Sequence, residues 1–259
     1  MKTFEGRVVI VTGASSGLGE AAALNFARHG AKVVIAARRV EKSENVVRQI
    51  EALGGEALFI RTDVTKSADV QALVDGTMAE FGRLDCAVNN AGITGPEMTP
   101  IAEIEEEAWD QLMDTNLKAV WMCMKYEIPA MLTRGRGAIV NISSIYGFKP
   151  GDIGNAPYCA SKFAVIGLSK TAAIDYARQG IRVNVVAPAL THSEMVTPYL
   201  EMEGERELIA KMLSRHSARE QVCEAAETAE AITWLCSDAA SFVNGAVLAI
   251  DGGETSRLY

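Results

Sequence analysis

Short runs of β-branched and other apolar residues alternate along the chain with longer stretches in which apolar residues recur at helical spacing. Short apolar runs of this kind are typical of strands that are buried on both faces of a sheet. Their alternation with helices predicts repeated βα units around a parallel sheet, an α/β fold. The predicted strands are residues 7–11, 32–36, 57–60, 84–88, 138–142, 182–187 and 246–250.

The stretches between these runs predict the helices. The helix at 105–132 is long, and Pro129 is expected to bend or break it near its end, because proline has no N–H to donate. Neither a linker rich in Pro, Gly or Ser nor an internal repeat interrupts the alternation, so we expect one domain over residues 1–259. The other predicted helices are 17–29, 41–53, 69–81, 158–178, 194–217 and 228–236.

Composition and charge narrow the class of protein. The 259 residues are 49% hydrophobic and 22% charged, which is an ordinary balance for a globular domain with a sizeable core. The 25 Lys and Arg residues against 33 Asp and Glu give a net charge of -8, and no basic stripe stands out. We therefore expect neither nucleic acid nor an anionic membrane as a main partner.

Location and metal binding are constrained in the same way. The N-terminus lacks the apolar core of a signal peptide, and no apolar run approaches the roughly 18 residues that a membrane helix needs. The five cysteines are odd in number, scattered and set among apolar residues, which favours buried reduced thiols. The three histidines have no ligand-like spacing, so no metal site is expected. These features predict a cytoplasmic protein.

A glycine-rich segment, residues 12–19 (TGASSGLG), lies between the first predicted strand and the first predicted helix. Glycines let a backbone turn tightly and approach a pyrophosphate, whose charge is stabilised by free N–H groups at the helix N-terminus. A plain turn could have the same composition, but its position in a βα unit favours a dinucleotide site, with the spacing G-x-x-x-G-x-G. The candidate cofactor contacts are Gly13, Ser15, Ser16, Gly17, Leu18 and Gly19.

The end of the second predicted strand indicates which dinucleotide binds. An NAD site usually has an acidic residue there for the ribose 2′-hydroxyl, whereas an NADP site offers arginine to the 2′-phosphate. This chain has Arg38 and Arg39 and no acidic residue at the tip. A guanidinium can donate two charge-assisted hydrogen bonds to a phosphate, each contributing about 1.5–3 kcal/mol. We predict NADP(H) as the cofactor, and the alternative is a solvated basic turn.

Tyr158 and Lys162 are four residues apart at the start of a predicted helix, so their side chains share one face. An ammonium group beside a phenol can hold its pKa well below the solution value of about 10, which gives a proton donor and acceptor usable near neutral pH. The spacing alone is weak, because many helices have it by chance. To indicate catalysis, the pair must occur together with a cofactor site and a group that polarises a carbonyl.

Further motifs occur in order along the chain. Residues 63–64 (DV) follow the third predicted strand, residues 89–92 (NNAG) end the fourth, Asn116 lies in the long helix, and residues 141–144 (NISS) end the fifth. Together with the glycine loop and the Tyr-x-x-x-Lys pair, they resemble the short-chain dehydrogenase/reductase family over nearly the whole chain. The resemblance implies a Rossmann-type, doubly wound and mostly seven-stranded parallel sheet with helices on both faces.

The resemblance also implies a role for each matching residue. Tyr158 would exchange a proton with the substrate oxygen, and Ser144 would donate to that oxygen. Lys162 would lower the pKa of Tyr158 and hydrogen-bond the nicotinamide ribose, and Asn116 would hold a water that relays protons to it. Outside this constellation, Ser144 and Asn116 would be taken as polar residues satisfied by the backbone. The other implied cofactor contacts are Asp63 and Val64 at the adenine, and Asn90, Ala91 and Gly92 beside the adenosine ribose.

The chain departs from the family after the sixth strand. The family usually has Pro-Gly there, followed by an aliphatic residue and a threonine that contact the nicotinamide carboxamide. Here Pro188 precedes Ala189, Thr191 stands at the aliphatic position and Ser193 at that of the threonine. Pro188, Thr191 and Ser193 remain cofactor-binding candidates, while Ala189 restricts the backbone where glycine is usual.

The family places a substrate lid between the sixth strand and the last helix, here near residues 190–217. Met195, Tyr199, Leu200 and Met202 could form an adaptable apolar wall there, or could simply pack a helix.

The family usually assembles through its two long helices, here 105–132 and 158–178. The resemblance therefore implies a homotetramer or a homodimer. The aromatic and Met-rich segment 121–126 lies inside the first of these helices, and core or subunit packing explains it better than substrate binding does.

The leading interpretation is an NADP(H)-dependent carbonyl reductase or alcohol dehydrogenase that interconverts a small-molecule ketone and a secondary alcohol. One alternative is a 3-oxoacyl-(acyl carrier protein) reductase, which would need a basic surface near the pocket mouth, and nothing in the sequence clearly provides one. Lys211, Arg215 and Arg219 leave open a phosphorylated or strongly anionic substrate. The other alternative is a non-catalytic NADP(H)-binding sensor. Such a protein would be expected to lose part of the catalytic set, which is complete here.

Overall fold

The computed structural model describes residues 3–96, 98–150, 154–194 and 221–256. Its centre is a sheet of seven strands in the order β3-β2-β1-β4-β5-β6-β7, and every pairing is parallel. The predicted parallel sheet is therefore confirmed. The strands are β1 Val8–Thr12, β2 Lys32–Ala37, β3 Glu56–Arg61, β4 Cys86–Asn89, β5 Gly137–Ile142, β6 Ile181–Pro188 and β7 Val247–Ile250.

Helices cover both faces of this sheet, as the doubly wound fold requires. One core contains Phe26 of α1 and Val9 of β1, and the other contains Val165 of α6 and Ile10 of β1. Neighbouring residues of β1 enter opposite cores because side chains alternate along a strand. The described helices are α1 Gly17–Arg28, α2 Val40–Ala52, α3 Ser67–Phe81, α4 Glu106–Met113, α5 Ala119–Leu132, α6 Ala156–Tyr176 and α7 Ala225–Cys236.

The helical stretch predicted at 105–132 contains a π turn. This turn covers Asp114–Lys118, between α4 and α5. The prediction of one uninterrupted α-helix was wrong at this point, because a single wide turn hardly changes the apolar periodicity. Pro129 lies inside α5, which continues past it to Leu132, so the helix does not break there.

The order of the strands determines where a site can form. The chain leaves β1 for β2 and β3 on one side and then crosses to β4 on the other side of β1. In sheets of this kind, a crevice opens at the carboxyl ends of the two strands where the order reverses. Val11 of β1 pairs with Val88 of β4, so the glycine loop and the NNAG segment begin next to each other.

Candidate active site

The glycine loop between β1 and α1 packs closely against the segment that follows β4. Gly13 has a φ of +66°, and a Cβ at this position would lie 2.9 Å from Cα of Ala91. A Cβ at Gly19 would lie 2.5 Å from the carbonyl oxygen of Gly13. Both positions therefore need glycine, one for its conformation and both for the close approach of backbone. The predicted pyrophosphate loop and the predicted ribose segment lie together.

Thr12 and Asn90 join these two segments. Asn90 Nδ2 donates to the carbonyl oxygen of Thr12 at 3.0 Å and to that of Gly13 at 3.3 Å. Thr12 Oγ1 accepts from the backbone N–H groups of Asn90 at 3.0 Å and Ala91 at 3.2 Å. The side chain of Asn90 therefore fixes the shape of the glycine loop.

The N-terminus of α1 keeps donors for an anion. Ser16 is the N-cap residue, but its side chain makes no capping hydrogen bond, so the N–H groups of the first turn are not satisfied by it. Together with the helix dipole, these groups form the kind of site that binds pyrophosphate. Ser15 is buried beside them, and Leu18 packs against the core below.

Arg39 lies over this loop. Its Nε and Nη2 donate to Ser15 Oγ at 3.1 and 2.9 Å, and Nη2 also donates to Ser16 Oγ. Its Nη1 donates to Glu194 Oε2 at 2.6 Å. The guanidinium is about half exposed, so it places a cation at the loop that could meet a cofactor phosphate.

Arg38 also follows β2 and lies near Asp63, which follows the neighbouring strand β3. Asp63 Oδ1 accepts from the N–H of Thr65 at 3.1 Å and from its hydroxyl at 2.7 Å. Burial tends to raise the pKa of Asp63, but these hydrogen bonds and the charge of Arg38 outweigh burial and lower it. Val64 is buried between α3 and α5. The predicted adenine contacts therefore lie after β3, held by local interactions.

Lys162 of α6 is buried under the end of β5. Its Nζ donates to the carbonyl oxygen of Ile142 at 3.0 Å and lies 5.4 Å from the ring centroid of Tyr158. Burial lowers the pKa of the Lys162 ammonium group to about 8. A cation held this close to a phenol favours the ionised phenolate, which is the electrostatic role expected of this pair.

The two serines at the end of β5 have different partners. Ser143 Oγ donates to the carbonyl oxygen of Lys162 at 2.8 Å, which fixes α6 against the sheet. Ser144 Oγ accepts from the N–H of Tyr146 at 3.2 Å, and its hydroxyl keeps a proton to donate. The Tyr146 ring meets the Tyr158 ring edge to face, with centroids 6.3 Å apart. Ser144 is therefore the serine with a donor for a substrate.

Asn116 lies in the π turn and is almost fully buried. Its Oδ1 accepts from the N–H of Ile93 at 2.8 Å, and its Nδ2 donates to the carbonyl oxygen of Ile93 at 2.8 Å. A Cβ at Gly92 would lie 3.3 Å from Asn116 Oδ1 and 3.7 Å from Lys162 Nζ, so these three residues meet. The Asn116 amide therefore anchors the segment after β4. A relay water would have to bind the second lone pair of Asn116 Oδ1 or the backbone of Asn116.

The segment after β6 returns toward the glycine loop. Ala189 donates its N–H to Ile250 at 3.0 Å, and among non-glycine residues of the described ranges a positive φ occurs only at Met98, so alanine causes no strain here. Thr191 is buried, and its Oγ1 donates to the carbonyl oxygen of Ala189 at 3.0 Å. Ser193 Cβ lies 3.1 Å from where a Cβ at Gly17 would stand.

Comparison with known proteins identifies the family. The family model for short chain dehydrogenase matches residues 7–204. This chain belongs to the short-chain dehydrogenase family. The A-factor type gamma-butyrolactone 1′-reductase (1S-forming) of Streptomyces virginiae is 43% identical over 96% of this chain and 95% of that protein.

Two further relatives of this short-chain dehydrogenase agree in length and fold. The cis-4-hydroxycyclohexanecarboxylate dehydrogenase of Sinomonas cyclohexanicum is 42% identical over 98% of this chain and 99% of that protein. The crystal structure of levodione reductase superposes with a TM-score of 0.92 at 34% identity, over 99% of this chain and 100% of that one. At the level of the family, the chain is an oxidoreductase that acts on alcohols or ketones with NAD(H) or NADP(H).

The structure of the short-chain dehydrogenase also shows a buried polar cluster that sequence reasoning missed. Asn89 Nδ2 donates to Glu127 Oε2 at 3.1 Å and to Asn141 Oδ1 at 3.0 Å, and Asn141 Nδ2 donates to Ser169 Oγ at 2.8 Å. Burial raises the pKa of Glu127 to about 7. The cluster links β4, β5, α5 and α6 under the site. A glutamate among the apolar residues of α5 was the available sign of it.

Two charged residues beside Arg39 were missed as well. Lys42 follows one helical turn after Arg39, which was a usable sign, and its ammonium group donates to Glu194 Oε1. Nothing in the sequence indicated that Glu194 reaches this position from the end of β6.

Several expectations fall outside the described residues. They include the lid candidates Met195, Tyr199, Leu200 and Met202, the basic residues Lys211, Arg215 and Arg219, and the predicted helix at 194–217 except Glu194. Within the described ranges, no group of His, Cys, Asp and Glu side chains is arranged to hold a metal ion. None of the helices described there combines the length and the apolar character needed to cross a bilayer.

Proposed function

We propose that this short-chain dehydrogenase interconverts a ketone and a secondary alcohol with NADP(H) as its cofactor and Tyr158 as the acid and base. One observation carries the catalytic part. The ammonium group of Lys162 is buried, held by the carbonyl of Ile142, and lies 5.4 Å from the Tyr158 ring. A buried cation beside a phenol serves proton transfer far better than it serves folding, because burial of a charge is unfavourable.

Tyr158, Lys162 and Ser144 each have a distinct role in the proposed carbonyl reduction. A nicotinamide cofactor, when bound, would supply the hydride for reduction of the ketone or accept it for oxidation of the alcohol. Tyr158 gives its proton to the oxygen during reduction and takes it back during oxidation. Lys162 stabilises the phenolate that remains after the proton has left. Ser144 donates its hydroxyl to the oxygen where negative charge develops.

The residues that would hold the cofactor fit a phosphorylated dinucleotide. The uncapped N-terminus of α1 and the close-packed glycine loop suit a pyrophosphate. Arg39, Ser15 and Ser16 supply a guanidinium and two hydroxyls beside that loop, which suits an added phosphate. The tip of β2 itself has no acidic residue that would bind a ribose 2′-hydroxyl. These contacts support NADP(H) over NAD(H).

The names of the relatives suggest the class of substrate. One relative is named for a butyrolactone and another for a hydroxycyclohexane carboxylate, and both of these compounds contain a ring. We propose cyclic or ring-bearing secondary alcohols and the matching ketones as the first substrates to test.

Turnover with a substrate panel tests this function. The purified protein should oxidise or reduce at least one member of a panel of cyclic alcohols, ketones and diketones, with a higher kcat/KM for NADP(H) than for NAD(H). Equal or better turnover with NADH at matched concentration would refute the cofactor assignment. Preferred turnover of an acyl thioester would instead indicate the acyl carrier protein reductase.

Tyr158→Phe is the matched variant for the chemical step. It removes the proton donor and keeps the ring, so it should bind NADPH like the wild type while turnover falls to below a few per cent. Fluorescence titration of NADPH checks binding, and the rate of NADPH consumption checks turnover. Retention of more than a few per cent of the rate would reject Tyr158 as the acid.

A further inference from the structure

Glu194 brings a carboxylate to the place where a cofactor phosphate is expected. Its Oε2 accepts from Arg39 Nη1 at 2.6 Å, and its Oε1 accepts from the ammonium group of Lys42. The three side chains are each about half exposed. One carboxylate therefore uses both oxygens to bridge two cations from the end of β2 and the first turn of α2.

The same two cations belong to a larger group of donors. Arg39 also donates to Ser15 and Ser16, which are residues of the glycine loop. We call Ser15, Ser16, Arg39 and Lys42 the basic cradle. It combines two positive charges with two hydroxyls, and one carboxylate neutralises only half of its charge. A phosphate, with nearly two negative charges and three acceptor oxygens, would satisfy the cradle better.

Glu194 is a permanent anion in this position. Hydrogen bonds from Lys42 and Arg39 lower its pKa to about 2 against an opposing effect of burial, and a weaker one from Ser16 adds to the lowering. It therefore stays ionised at any pH at which the enzyme works. Its competition with another anion for the cradle would not depend on pH.

The residue before it also contacts the loop. Ser193 Cβ lies 3.1 Å from the position that a Cβ at Gly17 would take, at the start of α1. The chain thus crosses from β6 over the glycine loop to the cradle, and Glu194 meets Arg39 from 155 residues further along the sequence.

We propose that Glu194 occupies the site of the 2′-phosphate of NADP(H), that NADP(H) binds by displacing it, and that Glu194 therefore sets the preference between the two dinucleotides. This inference rests on the proposed use of NADP(H). NADH has no 2′-phosphate, so it would bind while Glu194 stays in the cradle. Lys42 becomes a phosphate ligand in addition to Arg39. The ion pairs with Glu194 reduce the affinity for NADP(H) below what the cradle alone would give.

Glu194→Gln tests the competition, because glutamine keeps the shape and removes the charge. Its Kd for NADPH should fall about 3- to 30-fold, the range expected from the loss of two exposed ion pairs. Its Kd for NADH should change less than about twofold. Titration of the full chain by isothermal calorimetry measures both. Glu41→Gln is the matched control, because it removes an equal charge from the exposed surface of α2 next to Lys42.

A second variant tests the cradle itself. Lys42→Gln should weaken NADPH about 3- to 30-fold and leave NADH unchanged, because it removes one cation from the phosphate site. The proposal is overturned if Glu194→Gln leaves the Kd for NADPH unchanged, if it tightens NADH equally, or if Glu41→Gln has the same effect. An unchanged Kd for NADPH in Lys42→Gln overturns it as well.

The contribution of the 2′-phosphate alone to binding can be measured, and it distinguishes this inference from the cofactor assignment. The adenosine fragments 2′,5′-ADP and 5′-AMP differ by the 2′-phosphate only, so the ratio of their Kd values isolates it. Glu194→Gln should shift this ratio toward 2′,5′-ADP, and an unchanged ratio refutes the role of Glu194. If wild-type enzyme prefers NADH but the ratio shifts, the assignment of NADP(H) fails while Glu194 is confirmed as the competing anion.

Discussion

At the scale of single residues, Lys162 meets two opposing demands. The proposed chemistry needs its positive charge beside Tyr158, but Lys162 is only 5% exposed and burial lowers the pKa of its ammonium group from 10.5 to about 8. A shift of this size corresponds to about 3 kcal/mol of free energy by which folding disfavours the charged form. The carbonyl of Ile142 offsets part of the desolvation by accepting a hydrogen bond at 3.0 Å. Active sites commonly retain such unfavourable groups because function requires them.

Lys162→Met should make the protein more stable and inactive. Methionine fills similar space without a charge, so at pH 7 we expect the free energy of unfolding to rise by about 1–3 kcal/mol. Turnover should fall at least about 100-fold, because Tyr158 loses its neighbouring cation. Urea unfolding of the cofactor-free proteins and steady-state kinetics measure the two effects.

The stability difference between Lys162→Met and the wild type should depend on pH, and the pKa of Lys162 determines the direction. The folded pKa lies below the unfolded one, so between pH 8 and 10.5 the unfolded state binds more protons and the wild type gains stability as the pH rises. Lys162→Met lacks this gain. Its advantage should therefore shrink by about 2 kcal/mol from pH 7 to pH 9.5. An advantage that is constant with pH would show that Lys162 is not buried as a charge.

At the scale of elements, α5 is tied to the sheet by an acid rather than by apolar packing alone. Glu127 accepts from Asn89 at the end of β4, while its other oxygen and Asn89 Oδ1 lack partners among the described residues. A protonated Glu127 would add a donor to a cluster that has an unpaired acceptor. Burial, opposed by the Asn89 hydrogen bond, raises the pKa of Glu127 to about 7, so the proton is retained in mildly acidic solution.

Glu127→Gln should remove a dependence of stability on pH. The folded pKa of Glu127 lies above the ordinary 4.5, so its contribution to stability is complete below pH 4.5 and is lost as the pH rises through 7. Glutamine stays neutral and keeps a donor. The variant should be within about 1 kcal/mol of the wild type at pH 5 and more stable by about 2–3 kcal/mol at pH 8.5.

Urea unfolding at the two pH values measures this difference. Glu107→Gln, on the exposed side of α4, is the control and should show no such growth. If Glu127→Gln is less stable than the wild type at both pH values by the same amount, then Glu127 is not the titrating group.

The elements show which features a sequence can and cannot predict. The strands, both helical layers and the glycine loop followed from patterns within short windows, because burial on two faces and tight turns restrict the residue types locally. The π turn at Asn116 did not, because a single wide turn hardly changes the apolar periodicity, and its contact with Ile93 is made by a residue 23 positions away. The position of Glu194 could not be predicted either, because it meets Arg39 only after the chain has returned from β6.

At the scale of the whole molecule, α5 and α6 leave apolar side chains on the surface. Trp121 of α5 is 46% exposed, and Phe163 and Ile174 of α6 are 44% and 78% exposed. Other side chains of each helix pack into the core, with Met122 and Val165 among the buried residues. Large apolar side chains grouped on two helices are typical of a surface that another subunit covers. They support the homodimer or homotetramer that the family resemblance implies.

Phe163→Glu should therefore shift the assembly toward single subunits. A carboxylate placed in a closed interface must be desolvated without a partner, which disfavours association by several kcal/mol. Light scattering at micromolar concentration should show a dimer or tetramer for the wild type and a smaller mass for the variant. Leu53→Glu is the control, because Leu53 is 50% exposed at the end of α2, away from these helices, and the same charge there should leave the mass unchanged. A monomeric wild type would refute the assembly, and an equal loss of mass in both variants would show that the charge acts elsewhere than at α6.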